Sequence, residues 1–122
     1  MFIEGMDEYR PGIEAERYVW EQVKLVFDKR ESFGFLHFPM FKKNHSSKHE
    51  IDILLVDREI GITVIEVKGI SINQIKGIQG HIWHCTNGVH SYKGEPYNQA
   101  EQQLNMLCDD IEKKDILNRA FF

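Results

Sequence analysis

Three charged residues stand within two apolar stretches near the middle of the chain. Asp52 interrupts Ile51–Val56, and Glu66 and Lys68 interrupt the run that begins at Ile62. Burying an unpaired charge is costly, so such groups are kept where they pair with one another or hold a metal ion. One interpretation is a structural ion pair in which Lys68 neutralises a single carboxylate. The second carboxylate, left over after that pairing, favours a bound cation.

The two apolar stretches are predicted to form the antiparallel strands of a hairpin, joined by the polar break Asp57–Gly61. Side chains alternate between the faces of a strand, so Glu66 and Lys68 share one face of the second strand. The start of the first strand lies beside the end of the second. Asp52 therefore meets them there, provided that the register places it on the same face. Both faces are mostly apolar, which predicts a sheet covered on two sides.

A helix is predicted from Ile13 to about Asp28, after the breaker Arg10-Pro11-Gly12. Glu16 falls in the middle of its apolar stripe, where a carboxylate is unexpected. Either Glu16 lies in the first turn and reaches towards solvent, helped by the helix dipole, or it points into an active-site cleft. The apolar residues of this stripe are Ile13, Val19, Trp20, Val23 and Phe27.

Shorter strands are predicted on either side of the hairpin. Gly34–Pro39 is interpreted as a strand that Pro39 places at an edge or brings to its end. A further strand is predicted over Gln79–Thr86, followed by a two-residue turn at Asn87-Gly88 and a returning strand over Val89–Lys93.

A second helix is predicted to open at Gly94-Glu95-Pro96, because proline is favoured in a first helical turn. Three glutamines, Gln99, Gln102 and Gln103, lie to the side of its apolar stripe. They are either ordinary exposed helix surface, or Gln99 reaches past the core to a polar cleft. The stripe itself consists of Ala100, Leu104, Leu107, Cys108 and Ile111.

Length and composition bound the class of protein. The chain has 122 residues and a net charge of −4, which suits one domain and gives no overall basic field for nucleic acid. This argues against a simple DNA-binding module but not against an enzyme that brings its own divalent cation to a phosphate. No apolar run is long enough for a membrane span and the start lacks a signal peptide, so we expect a cytoplasmic protein without a membrane partner. Its two cysteines are expected to be reduced.

The last residues, Ala120-Phe121-Phe122, are apolar, and exposed aromatic ends favour association. We therefore expect residues 1–122 to be a single domain, the N-terminal fragment of a longer protein, and a homodimer is one form that association could take.

Asp52 followed by Glu66-Val67-Lys68 resembles the D…(D/E)-x-K signature of the restriction-endonuclease-like superfamily, PD-(D/E)XK. The wider pattern resembles the nuclease-related domain (NERD) family over roughly Gly12 to Ile111. Ile51 stands where the superfamily motif has a proline. The matching pieces are Gly12–Glu16, Glu50–Asp52, Val64–Gly69, Trp83 with Gly88, and Pro96–Ala100.

The resemblance implies an α/β fold with a central mixed sheet that contains an antiparallel hairpin and is flanked by helices. It also implies Mg²⁺ or Mn²⁺ held by Asp52, Glu66 and the main-chain carbonyl of Val67. Glu16 would complete the shell through water or bind a second ion. Lys68 would orient the attacking water or stabilise developing negative charge. The implied activity is hydrolysis of DNA phosphodiester bonds in DNA processing or repair.

The same resemblance gives Gln99 a hydrogen-bonding role towards the lysine, the water or a phosphate. Two other functions stay open. One is a non-catalytic nucleic-acid or partner-binding module that retains the nuclease fold beside a fused or partner helicase-type domain. The other is a structural ion-pair cluster in a domain that mediates association, for which we expect Lys68 clamped between both acids with no cleft beside them.

Overall fold

The computed structural model describes residues 1–5, 10, 12–41, 48–86 and 95–113. A four-stranded mixed sheet has the order β1-β2-β3-β4, in which β1 is parallel to β2 and the other neighbours are antiparallel. A separate two-stranded antiparallel sheet pairs β5 with β6. With two helices, this confirms the predicted mixed α/β architecture. The elements are β1 (Phe2–Glu4), α1 (Ile13–Phe27), β2 (Ser32–Phe41), β3 (Lys48–Asp57), β4 (Gly61–Ile65), a short 3₁₀ helix (Ile72–Gln74), β5 (Ile75–Gln79), β6 (Ile82–Cys85) and α2 (Glu95–Lys113).

The predicted central hairpin is formed by β3 and β4. Asp57 pairs with Gly61 at the closed end and Ile53 pairs with Ile65 at the open end. The second strand is shorter than predicted: β4 ends at Ile65, so Glu66 and Lys68 follow the strand instead of lying in it. Beyond the last pair, the Val67 main-chain N–H donates a hydrogen bond to Asp52 Oδ2 at 2.9 Å.

Helices cover both faces of this hairpin, as its apolar pattern predicts. Ile53 belongs to a buried cluster with Trp20 of α1, whereas Leu54 belongs to one with Leu107 of α2. Ile51 packs in the same cluster as Leu54, so the strict alternation of faces is interrupted next to Asp52.

Strand β2 is longer than predicted and runs from Ser32 to Phe41. Its parallel neighbour β1, which the sequence analysis did not anticipate, pairs only with Gly34–Leu36. Pro39 pairs with Glu50 on β3 and lies beyond the residues that β1 covers. Proline lacks a backbone donor, so it is tolerated where its strand has one neighbour.

The prediction of a strand over Gln79–Thr86 is confirmed for Ile82–Cys85, which form β6, but not for the residues before them. The chain turns at Gly80 and His81, between β5 and β6. Gly80 has a φ of 60°, in the left-handed region that glycine enters without a steric penalty. The predicted turn at Asn87-Gly88 and the returning strand lie outside the described residues.

Asp57 closes the β3–β4 connection from a position only 3% exposed. Its carboxylate accepts hydrogen bonds from Arg30 at 2.9 and 2.6 Å and from the Ser32 hydroxyl at 2.6 Å. The main-chain N–H groups of Glu59 and Ile60 donate to Oδ1 at 2.9 and 3.1 Å. The Arg30 guanidinium, assisted by Ser32, holds the pKa of Asp57 well below its ordinary value.

Asp57→Asn should lower the free energy of unfolding at neutral pH and lose most of that effect in acid. The folded-state pKa is depressed, so the carboxylate stabilises the fold above its ordinary pKa of 3.8, and this stabilisation is lost as the pH falls further. Urea unfolding of parent and variant at neutral and acid pH measures the change. Glu59→Gln is the control, since the Glu59 side chain is 80% exposed. A stability difference that is the same at both pH values would contradict the prediction.

Neither helix of the described chain combines the length and the apolar character that a membrane span requires.

Candidate active site

Asp52 is buried on β3, with 8% of its surface exposed. The main-chain N–H of Val67 donates a hydrogen bond to Oδ2 at 2.9 Å, so the residue after Glu66 joins the two strands at the open end of the hairpin. The pKa of Asp52 is raised to about 6, mainly by burial; the Val67 hydrogen bond opposes the rise, and the charges of Glu66 and Glu16 add to it. Both predicted acids therefore act on Asp52 electrostatically.

Glu66, Lys68 and Gln99 form one hydrogen-bonded chain beside Asp52. The Lys68 ammonium lies 2.9 Å from Glu66 Oε1 and donates to Gln99 Oε1 at 2.7 Å. Glu66 and Lys68 are mostly buried, with side chains 12% and 18% exposed. The interpretation of Gln99 as ordinary exposed surface does not agree with this contact. The structure thus brings Asp52, Glu66, Lys68 and Gln99 together as the sequence predicts.

Gln103 joins the same group, although the sequence analysis assigned it no role. It lies one helical turn after Gln99, and residues four apart share a helix face. Its Nε2 lies 3.3 Å from Glu66 Oε2 and 3.3 Å from the main-chain oxygen of Glu50. The Gln99/Gln103 spacing was the available signal. On its own it does not distinguish a site-facing pair from a solvent-facing one.

Glu16 is 4% exposed, so the alternative in which it reaches solvent from the first turn is wrong. Its two oxygens accept hydrogen bonds from Arg10 at 2.9 and 2.8 Å, and His37 Nε2 lies 2.7 Å from Oε2. Arg10 also reaches Glu50 at 3.1 Å. Glu16 is therefore held at the edge of the charged group. Its role as a metal ligand, through water or at a second ion, stays a prediction.

His37 was not anticipated from the sequence. It is 4% exposed and takes a left-handed φ of 57° within β2, which is rare for a residue with a side chain. Leu36 pairs with Ile53 and Phe38 pairs with Ile51, so His37 lies beside Asp52 on the neighbouring strand. Buried backbone conformations of this kind recur at functional sites. A lone histidine among aromatic residues carries no signal for such a conformation.

A cleft of about 360 Å³ opens beside Lys68. It is lined by Arg10, by residues 12–15 at the start of α1 and by Lys68–Ile70. The purely structural interpretation of the charged cluster expected no cleft at this place, so the observed cleft argues against it.

The oxygen donors fit a hydrated divalent ion better than a fully protein-bound one. Within the described ranges, no group of three or more His, Cys, Asp or Glu side chains is arranged to hold a metal. Asp52 and Glu66, with the main-chain carbonyl of Val67, are hard ligands that suit Mg²⁺, which keeps several of its waters. Gln103 Oε1 is a buried acceptor with no hydrogen-bond partner in the described chain, which fits a donor such as a metal-bound water.

The family model described as the nuclease-related domain (NERD) matches residues 11–121. The matched part contains the whole group around Asp52, including Gln99 and Gln103 of α2. No curated protein and no solved structure matches the chain.

Proposed function

The chain belongs to the nuclease-related domain family, as its motifs predicted and the match over residues 11–121 shows, and from this premise we propose that it is a metal-dependent nuclease domain that hydrolyses DNA phosphodiester bonds. The observation that carries the proposal is the group at the open end of the hairpin. The Val67 N–H ties Asp52 to the residue after Glu66, and the Lys68 ammonium pairs with Glu66 beside a cleft. A fold alone does not give a function, so the proposal rests on this group.

Asp52, Glu66 and the Val67 carbonyl would hold Mg²⁺ or Mn²⁺ in the proposed reaction. The bound ion supplies a polarised phosphoryl oxygen and a water of lowered pKa. It also offsets the two carboxylates, which would otherwise repel a phosphate. This explains how a chain with a net charge of −4 can accept DNA.

Lys68 would supply the positive charge that the reaction needs at the phosphate. An ammonium held in place stabilises negative charge that develops in the transition state without a cost for reorganisation. Gln99 contributes to this placement, because its Oε1 accepts a hydrogen bond from Lys68 at 2.7 Å. Glu16, fixed by Arg10 and His37, would act on the ion through water.

The occupancy of Glu66 favours a second candidate function. Lys68 engages Oε1 and Gln103 engages Oε2, so both oxygens of this carboxylate have protein partners. A module that kept the fold as a scaffold beside a helicase-type domain would retain such a closed network. In that case neither metal binding nor cleavage is expected.

A Mg²⁺ titration separates the two functions. Binding to the folded state alone stabilises it, by about 2.7 kcal/mol when the ion is present at roughly 100 times its Kd. We therefore expect the melting temperature to rise with added MgCl₂ and to return with EDTA, and DNA to be cut only in the presence of the ion. Parallel digestion of linear and circular duplexes distinguishes attack at ends from internal cleavage. Unchanged melting together with intact DNA would favour the scaffold.

A further inference from the structure

One buried polar atom has no hydrogen-bond partner in the described part of the chain, and it lies within the charged group. Gln103 donates through Nε2 to Glu66 Oε2 and to the Glu50 main-chain oxygen, both at 3.3 Å. Its other atom, Oε1, is buried and accepts nothing. Buried polar atoms are nearly always paired, so an exception beside two carboxylates calls for an explanation.

The orientation of this carboxamide is determined by its surroundings. Rotating the amide by half a turn would exchange the nitrogen and the oxygen, which are nearly equal in size. The oxygen would then face Glu66 Oε2 and the Glu50 carbonyl, and both of these groups only accept. The reversed orientation replaces two hydrogen bonds with two repulsive contacts. Oε1 must therefore point away from Glu66 Oε2.

No protein donor in the described chain reaches Gln103 Oε1, so a donor for this atom would belong to a bound ligand. The two protein groups that hydrogen-bond to Gln103, the Glu50 main-chain oxygen and Glu66 Oε2, are both acceptors. Neither can donate a hydrogen bond to Oε1. A water bound to a divalent cation is a strong donor because the ion withdraws electron density from it. Groups that hold the ligands of a metal in this way orient them and tune the affinity of the site.

We propose that Gln103 is a positioning residue of the metal site, an inference that rests on the proposed nuclease function. Its Nε2 fixes Glu66 Oε2, and its Oε1 accepts a hydrogen bond from a water of the ion that Asp52 and Glu66 hold. Gln99 and Gln103 then each position one of the charged residues Lys68 and Glu66. Gln99 places the Lys68 ammonium, and Gln103 places the carboxylate and the hydrated ion.

Two substitutions test this proposal with Mg²⁺ alone as the probe. Gln103→Met keeps the shape of the side chain and removes both polar atoms. Gln103→Glu keeps an acceptor at the Oε1 position and adds a negative charge that favours a cation, but it replaces the Nε2 donor with an oxygen that faces Glu66 Oε2 and the Glu50 main-chain oxygen. Each variant is melted over a series of MgCl₂ concentrations, and the midpoint of the rise in melting temperature gives the apparent affinity. Gln102→Met is the matched control, because Gln102 is the exposed neighbour on the same helix.

We expect Gln103→Met to bind Mg²⁺ roughly 10- to 100-fold more weakly, as substitution of groups behind metal ligands commonly does. Gln103→Glu should melt at a lower temperature than the parent without ion, because the new carboxylate faces two acceptors, and should show a larger rise with Mg²⁺, because the cation offsets that repulsion. Gln102→Met should match the parent. A glutamine with a purely structural role would instead lower the melting temperature of both variants without ion and leave the Mg²⁺ midpoint unchanged. That result would overturn the inference.

The parent protein distinguishes this failure from a failure of the proposed function. A parent that binds Mg²⁺ with the same midpoint as Gln103→Met removes only the role of Gln103. A parent whose melting temperature does not respond to Mg²⁺ removes the metal site, and the inference with it. Should Gln103→Met fail to fold, Gln103→Glu carries the test: a rise in melting temperature with Mg²⁺ that is no larger than the parent's contradicts the acceptor role.

Discussion

Asp52→Asn should abolish Mg²⁺-dependent DNA cleavage and make the protein more stable at mildly alkaline pH. The substitution replaces an anionic ligand with a neutral amide of the same shape, so a hard cation loses its strongest partner on β3. We expect cleavage to fall by at least roughly 1,000-fold, which corresponds to about 4 kcal/mol of transition-state free energy. The Asn carbonyl oxygen can still accept the Val67 N–H that now reaches Oδ2 at 2.9 Å.

The gain in stability follows from the direction of the pKa shift. Burial raises the pKa of Asp52 from 3.8 to about 6, so the folded protein holds this proton more tightly than the unfolded chain does. Below the ordinary pKa of 3.8 the carboxyl is protonated in both states and does not lower the free energy of unfolding. As the pH rises through about 6, burial of the ionised carboxylate lowers that free energy. A shift of this size corresponds to about 3 kcal/mol.

Unfolding measured in EDTA at about pH 4 and about pH 8 tests this linkage. Between these limits the free energy of unfolding of Asp52→Asn, relative to the parent, should rise by roughly 2.4 kcal/mol, because at about pH 4 the unfolded chain has already lost part of this proton. Asp109→Asn is the matched control, since Asp109 is an exposed carboxylate on α2. If Asp52→Asn cleaves DNA at the same rate as the parent, the nuclease proposal is wrong. Lost cleavage with lowered stability at both pH values would instead indicate that Asp52 supports the fold.

The sequence was sufficient for the parts of the site that depend on local periodicity. The hairpin of β3 and β4 follows from its two apolar runs and the short connection after Asp57, and the helical period placed Glu16 in a buried stripe. These inferences hold because each compares residues within one element or across one tight hairpin. Alternation did not extend to Glu66 and Lys68, because β4 ends at Ile65 and both residues follow it.

The parts that sequence analysis missed depend on contacts between distant residues. Arg10 reaches Glu50 across a sequence separation of 40, and Gln103 reaches Glu66 across one of 37. Which polar side chain of a helix meets a strand depends on how the helix is rotated on the sheet, and apolar packing fixes that rotation. The left-handed backbone of His37 is a further example, since no local pattern encodes it.

A turn that was not predicted lies at Gly80, where Gln79 pairs with Ile82 across the hairpin. A single glycine is a weak local signal, and the pairing of β5 with β6 fixes the position of this turn.

Lys68→Met should separate cleavage from metal binding. Methionine retains the length and the apolar stem of the side chain but lacks the ammonium that lies 2.9 Å from Glu66 Oε1. Loss of a preorganised charge at a developing oxyanion costs roughly 100- to 1,000-fold in rate, and we expect a fall of that size in DNA cleavage. Mg²⁺ should bind at least as tightly as before, because Glu66 loses a competing cation.

Cleavage rates and Mg²⁺-dependent melting of the same preparation measure the two effects. Lys76→Met is the matched control, since Lys76 is an exposed lysine on β5. Parental cleavage by Lys68→Met would show that the ammonium serves only to pair Glu66. A variant that melts at a lower temperature and no longer responds to Mg²⁺ would show that the ion pair holds the site together. If the ammonium acts on the phosphate, the variant should lose cleavage and keep or tighten Mg²⁺ binding. The charge is then needed for the reaction but not for binding the ion.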